Sequence, residues 1–495
     1  MAMIRNILTV IVMTVAGCLV ASAQSNAKAT VKAAEVVIKK YMPKYTEPIM
    51  DEFCDKFKKS PEVAVGIGDA YLYRQRDTAM AKKYLNRALK IDSKYAPAYL
   101  LGGRICESVR DTVGAVDWYE RGIFMDTKAP DCYLAYAKLM SIKAPEKAQR
   151  KIEDLLTHKP DFPINLELAR MYARVGDNTE DGSVEQTEAY MKCIDYFDRC
   201  DLNTLSQKDI SDYATTVHLK STDYEKCDKI IKFGVKKFPE YGGLYYLGVQ
   251  NSFKQGNWSD AVEYGEEYIH TCDSTKIKVG DYTNLANAYR NAKRYADAIK
   301  VYKSIIDNDK FEETSKSDAR QGMAICHAYS GDWGSAIREY KAYADKKREL
   351  GTVTFGDLSA FAGIYGQQAV ELNGEEKLQA FRNADAIYKE IAEKFPNNMV
   401  YALYQRLQCN WRINGEDFDN DTHVIADQLV SVVLAKNENT TSDNNALKYA
   451  YKYLGLYNIK KKKTDLNKAG EYFQKILNID PDDEDAQRYF EARRR

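Results

Sequence analysis

The chain has few histidines, few prolines and no excess of either charge. Its five histidines (His158, His218, His270, His327 and His423) are scattered through 495 residues, with none at ligand spacing from another. That excludes a helix-borne metal pair of the HExxH kind, and no CxxC or Cys/His pattern at zinc spacing replaces it. Neither GxSxG, nor a Walker-type phosphate loop, nor GxGxxG after a predicted strand occurs, so no catalytic residue, cofactor or metal is expected. The 72 basic and 72 acidic residues cancel. A chain without a basic field is not expected to bind nucleic acid, because counterion release needs that field. No later segment reaches 18 consecutive apolar residues, so no membrane span is expected. Only 11 prolines are present, which leaves room for helix along most of the length.

What the sequence does contain begins with a leader. Met1 to Arg5 is short and basic, Ile7 to Val15 is almost wholly apolar, and Ala21-Ser22-Ala23 offers small residues for cleavage before Gln24. Residues 1–23 therefore read as a signal peptide, and the protein is expected to be exported, to the periplasm or the outer membrane. Val15-Ala16-Gly17-Cys18 also resembles a lipobox, which keeps a lipid anchor at Cys18 open. The apolar run continues past it through Leu19-Val20-Ala21, which favours simple cleavage. Nine further cysteines remain, an odd number, so at least one is unpaired in any internal scheme. Several fall on core positions of the repeat described next, where cysteine acts as a small hydrophobe.

A pattern recurs from Ala81 onward: a small residue, a large one four later, another three beyond, then a turn residue. Ala81, Leu85, Ala88 and Ser93 set it out, and Ala115, Tyr119, Gly122 and Thr127 repeat it. Later copies include Ala298, Tyr302 and Ile305, then Ala384, Tyr388, Ile391 and Pro396, and finally Ala469, Phe473, Ile476 and Pro481. Offsets of four and seven share one helix face. The small residue admits a neighbouring helix and the large one fills the gap. A second half-pattern, such as Ile67-Gly68 with Tyr71 or Leu285-Ala286 with Tyr289, lies about a dozen residues earlier. It marks a preceding helix, joined by turns such as Gln255-Gly256-Asn257.

This unit resembles the tetratricopeptide repeat family, a helix-turn-helix of 34 residues. The resemblance implies an all-α, right-handed α-solenoid of about eleven repeats over residues 61–481. Residues 24–60 form an N-terminal helical cap and residues 482–495 a C-terminal capping helix. Two repeats are longer than the rest, and their additions are expected between paired helices, near Asp177 to Glu185 and near Gly366 to Asn383. Lys460 to Lys463 reads as a solvated helix end, and the alternating Asp417, Asp419 and Asp421 as an acidic loop lacking the glycine and glutamate of a calcium site.

In that family the first helix of each repeat lines a groove. Carrying over the position after its small residue gives Asp69, Arg104, Lys138, Arg170, Thr215, Gln250 and Asn287. Arg104, Lys138 and Arg170 are three consecutive basic positions, with Arg174 one turn beyond, and are expected to form a stripe that clamps a carboxylate or an acidic peptide. Asn284, Asn287 and Asn291, beside Arg290, form a second polar patch that loosely resembles a peptide-backbone clamp. The expected function is a non-catalytic scaffold of the bacterial cell envelope that binds protein or peptide partners. A second reading is a glycan-binding outer-membrane lipoprotein similar to the SusD family, whose repeats are broken by long irregular insertions. Here the repeats run nearly end to end.

Overall fold

The structure is a computed structural model that describes residues 26–494. The leader, the cleavage site after Ala23 and Cys18 lie outside the described residues. Within them every regular element is helical: 25 α-helices with a few short π and 3₁₀ turns. No helix among the described residues is long and apolar enough to cross a membrane.

The described residues divide into two compact units, one up to residue 238 and one from residue 239. In the first, the helices Ala27–Lys40 and Pro43–Lys56 precede five helix pairs, beginning with Pro61–Ala70 and Thr78–Ile91 and ending with Gln207–Thr216 and Tyr224–Lys237. The second holds six pairs, from Gly242–Gln255 and Trp258–Thr271 to Thr441–Lys460 and Leu466–Ile479, and then the helix Glu484–Arg494. The eleven pairs match the number of repeats read from the sequence.

Local chemistry explains the pairing. The turn between paired helices is short because one residue takes a left-handed conformation and the next caps the second helix. Arg76, Arg110 and Thr222 have φ of 54°, 63° and 55°, and Gly256 and Gly331 serve at the same place. Asp77, Asp111, Asp223, Asn257 and Asp332 follow them and accept a backbone N–H of the helix they begin, satisfying donors that have no helical partner. A turn this tight forces the two helices to pack side by side.

The repeat positions form the core. Ala81, Ala115, Ala148, Ala261, Ala298, Ala336 and Ala469 are fully buried, as are Tyr119, Cys193 and Cys227. Where helices come closest only glycine fits: a Cβ on Gly103 would lie 2.1 Å from the ring of Tyr119. The nine described cysteines are free thiols and six are buried. Burial raises those six, with Cys193 pushed up to about 12. They are packing groups rather than reactive ones.

Two expectations are corrected. The first addition does lie between helices, at residues 178–183. The second does not: residues near Gly366 to Asn383 extend the helices themselves, to Phe355–Glu371 and Gly374–Lys394, joined by two residues. That stretch is rich in Gln, Glu, Lys, Leu and Ala, which favour helix over loop. The lysine run is also more than a solvated end. Lys460 pairs with Glu416 at 3.4 Å and Lys462 with Asp419, so the run neutralises the acidic loop before the Thr422–Leu434 helix.

Candidate functional site

In the first unit the first helices of successive pairs touch in turn. Pro61–Ala70 meets Ala96–Ser108, which meets Pro130–Met140, which meets Ile164–Asp177. They carry Asp69, Arg104, Lys138 and Arg170, the positions after the small residues. The side chains do not form a stripe of free charge. Arg104 reaches back one repeat to Asp69 at 3.3 Å and lies over the Tyr73 ring. Burial raises the Asp69 carboxyl, and the charge of Arg104 holds it down in part.

Arg170 is engaged more tightly. Its Nε and Nη2 donate to the two carboxylate oxygens of Asp209 at 2.9 Å each, and its Nη1 donates to Glu167 at 2.6 Å. Asp209 is buried, and with Ser206 it forms the capping box of the Gln207–Thr216 helix. Burial alone would raise the Asp209 carboxyl. The hydrogen bonds from Ser206 and Arg170 outweigh it and hold the group below the ordinary aspartate range. Arg104 and Arg170 are therefore ties between neighbouring repeats, so two of the three cations of the expected stripe are already paired. The cause is that each faces an acid one repeat away.

Two cations remain unspent. Lys138 is exposed and has no ion pair among the described residues. Arg174, one turn beyond Arg170, is half-buried, and its Nε is enclosed without a hydrogen-bond partner. Burial lowers its affinity for the proton, Glu167 offsets part of this, and Arg170 adds to it. A buried guanidinium nitrogen without an acceptor is costly, by about 1–3 kcal/mol or more. Arg174 lines a cleft of about 520 Å³ shared with Arg170, Thr215, Asp209, Lys208 and Asp212. Lys208 and Asp212 pair with each other. The cleft thus brings together Arg170, Arg174 and Thr215 from the sequence-derived set, leaves Arg104 and Lys138 outside, and offers Arg174 as its unpaired donor. Sequence reasoning passed over Asp209 and Asp212, although Ser206-x-x-Asp209 reads as a helix start.

The asparagine patch belongs to the second unit, on the Val279–Asn291 helix. Asn287 is not free, because its Oδ1 accepts the Tyr302 hydroxyl at 2.8 Å. Asn291 is exposed and Asn284 half-buried. The patch therefore offers less than expected, since a core tyrosine has taken its central amide. No group of His, Cys, Asp and Glu suited to a metal occurs among the described residues.

Family models named "Tetratricopeptide repeat" match residues 61–95 and 282–310, one in each unit. The chain carries tetratricopeptide repeats in both units. Both matches fall on helix pairs described above, 61–95 on Pro61–Ala70 with Thr78–Ile91 and 282–310 on Val279–Asn291 with Tyr295–Ile306. Among solved structures the repeat protein is similar to the C-terminal part of a TPR repeat-containing protein from Cytophaga hutchinsonii, at 17% identity and a TM-score of 0.43, covering 56% of this chain and 98% of that one. It is similar to yeast Tom70 at 13% identity and a TM-score of 0.31, covering 89% and 98%. Pseudomonas aeruginosa pilF is a third, at 17% identity and 0.32, covering 43% and 92%. No curated protein matches the chain. Tetratricopeptide repeats build protein-interaction scaffolds, and this repeat protein is one in that general sense.

Proposed function

We propose that the chain is a non-catalytic scaffold of the bacterial cell envelope that holds partner proteins by an acidic segment laid on the first helices of the first unit. The observation that carries the acidic segment is Arg174, a half-buried cation whose Nε has no acceptor while its cleft stands open. A partner's carboxylate entering the cleft pairs with the Arg174 guanidinium that lines it, through a charge-assisted hydrogen bond. Lys138, exposed on the preceding first helix, adds a second attractive charge. The cations at Arg104 and Arg170 are already neutralised, so they fix the spacing of repeats rather than bind. Support for the envelope comes from the leader over residues 1–23, with export to the periplasm or outer membrane and a soluble or Cys18-anchored mature form.

The test compares the full chain with Arg174→Gln and Lys138→Glu in quantitative capture from the native envelope fraction. Partners retained by the parent chain and reduced several-fold in both variants, at unchanged helicity, support the reading. Equal recovery overturns the role of Arg174, and absence of the chain from the envelope fraction overturns the compartment.

A further inference from the structure

The second unit holds a larger cleft, of about 780 Å³, between the helices Phe355–Glu371, Gly374–Lys394 and Met399–Asn414. It is unlike the first. Its floor is apolar and aromatic, built from Phe381, Tyr388 and Trp411. Phe381 and Tyr388 are seven residues apart on one helix, and both are buried. Trp411 is half-buried and packs its rings against Tyr449 and Tyr453.

Cations edge this floor. The Arg412 guanidinium lies 5.5 Å from the centre of the Phe381 ring. Lys377 stands four residues before Phe381, on the same helix face, and lines the same cleft. Neither has a carboxylate partner among the described residues; Arg412 makes one long contact, 3.5 Å, to the Gln408 amide. The one acid lining the cleft, Glu416, is turned to Lys460. Two unneutralised cations beside an aromatic floor fit a group that is apolar at one end and anionic at the other.

The wall opposite supplies an independent sign. Gly363 and Gly366 lie inside the Phe355–Glu371 helix, where glycine weakens a helix by about 0.5–1 kcal/mol relative to alanine. In the interior of other helices a glycine is explained by a neighbour that a Cβ would strike, as at Gly103 and Gly322, while Gly280, Gly334 and Gly356, which have no such neighbour, sit in first turns. At Gly363 and Gly366 a Cβ would meet nothing within 4 Å. The packing of the unit itself gives these two glycines no reason, whereas a backbone passing close along the helix does. Val370, 76% exposed, continues that wall and leaves an apolar surface uncovered.

We propose that this cleft is a second binding site, for an extended stretch of partner polypeptide that places a large apolar side chain on Phe381, Tyr388 and Trp411 and a nearby carboxylate side chain between Lys377 and Arg412, with its backbone against Gly363 and Gly366. The proposal rests on the reading of the chain as a peptide-binding scaffold, and adds what the peptide carries and where it seats.

The test uses the full chain and a capped probe, acetyl-Gly-Bpa-Gly-Glu-Gly-amide, whose p-benzoylphenylalanine (Bpa) labels what it touches under light. Expected labelling maps by mass spectrometry to residues 355–416. Replacing the probe's glutamate by lysine lowers the yield by about fivefold or more, as loss of a charge-assisted contact predicts. The double variant Lys377→Glu with Arg412→Glu lowers it as far and restores labelling by the lysine probe. Gly366→Trp, which has open space for its side chain, fills the cleft and removes labelling, with the helical circular dichroism and hydrogen exchange of the unit retained. Equal labelling by both probes, labelling elsewhere, or full labelling of folded Gly366→Trp overturns the proposal. Capture through the Arg174 cleft is unaffected by these variants, so failure here is distinguishable from failure of the scaffold reading itself.

Discussion

Replacing glycine by alanine at two helical positions of the second unit should move stability in opposite directions. At Gly322 a Cβ would fall 2.4 Å from Cζ and 2.6 Å from Cε1 of Tyr302, where carbon contacts settle near 3.5–4.0 Å. The ring has little room to yield. Tyr302 is 2% exposed, and its hydroxyl is held by Asn287 at 2.8 Å. Overpacking of this kind costs about 1–3 kcal/mol, and displacing the ring endangers a hydrogen bond worth about 1 kcal/mol. The helix propensity gained on leaving glycine returns at most about 1 kcal/mol. Gly322→Ala should therefore lose about 1–3 kcal/mol.

At Gly363 the propensity gain stands alone, because nothing lies within 4 Å of the added carbon. Gly363→Ala should gain about 0.5–1 kcal/mol. A repeat array need not unfold in one step, so the assay is hydrogen exchange in increasing urea, read locally in the helices Glu313–Tyr329 and Phe355–Glu371. If Gly322→Ala matches the parent chain, the close approach of the Tyr302 ring is wrong. If Gly363→Ala loosens its helix, that glycine serves the fold, and the argument for the second cleft loses one of its supports.

Two further outcomes follow from the turns and the inter-repeat ties. Thr222 is β-branched at φ 55°, a conformation that costs about 1–2 kcal/mol for a residue with a Cβ. Thr222→Gly should stabilise the first unit by a net of about 0.5–1 kcal/mol after glycine's entropic cost, read as a higher urea midpoint. Asp209→Asn should cost about 1–3 kcal/mol near neutral pH by breaking the fork with Arg170 and the cap. The Asp209 carboxyl is held below its ordinary value of 3.8, so its contribution is complete above that value and is lost as pH falls through the lower folded one. The gap between Asp209→Asn and the parent chain should close in acid, as measured by urea titrations on both sides of pH 3.8.

The repeat was legible because small and large residues at offsets of four and seven leave a mark that survives in one sequence. Ala298, Tyr302 and Ile305 were read as one packed face, and all three are buried. Residues near Gly366 to Asn383 were misread because the extra length was assigned to a loop, while the residues themselves favour helix. The pairing of Arg104 with Asp69 was within reach, since both occupy the same place in adjoining repeats. That of Arg170 with Asp209 was not, because it depends on the sideways offset between two helices. The second cleft was hidden for a different reason. Lys377, Phe381 and Arg412 sit on two helices, and only the packing brings them together. The local clue was two glycines inside a helix with no turn to explain them.

The central claim is that a partner's carboxylate engages Arg174. Isothermal titration of the full chain with the capped peptide acetyl-Gly-Glu-Gly-Glu-Gly-amide tests it most directly, beside the same peptide with lysine in place of glutamate. The account predicts saturable binding of the acidic peptide that weakens as salt rises, falls about fivefold or more in Arg174→Gln, and is absent for the lysine peptide. Binding that is equal in Arg174→Gln and the parent chain, or equal for the two peptides, would contradict it.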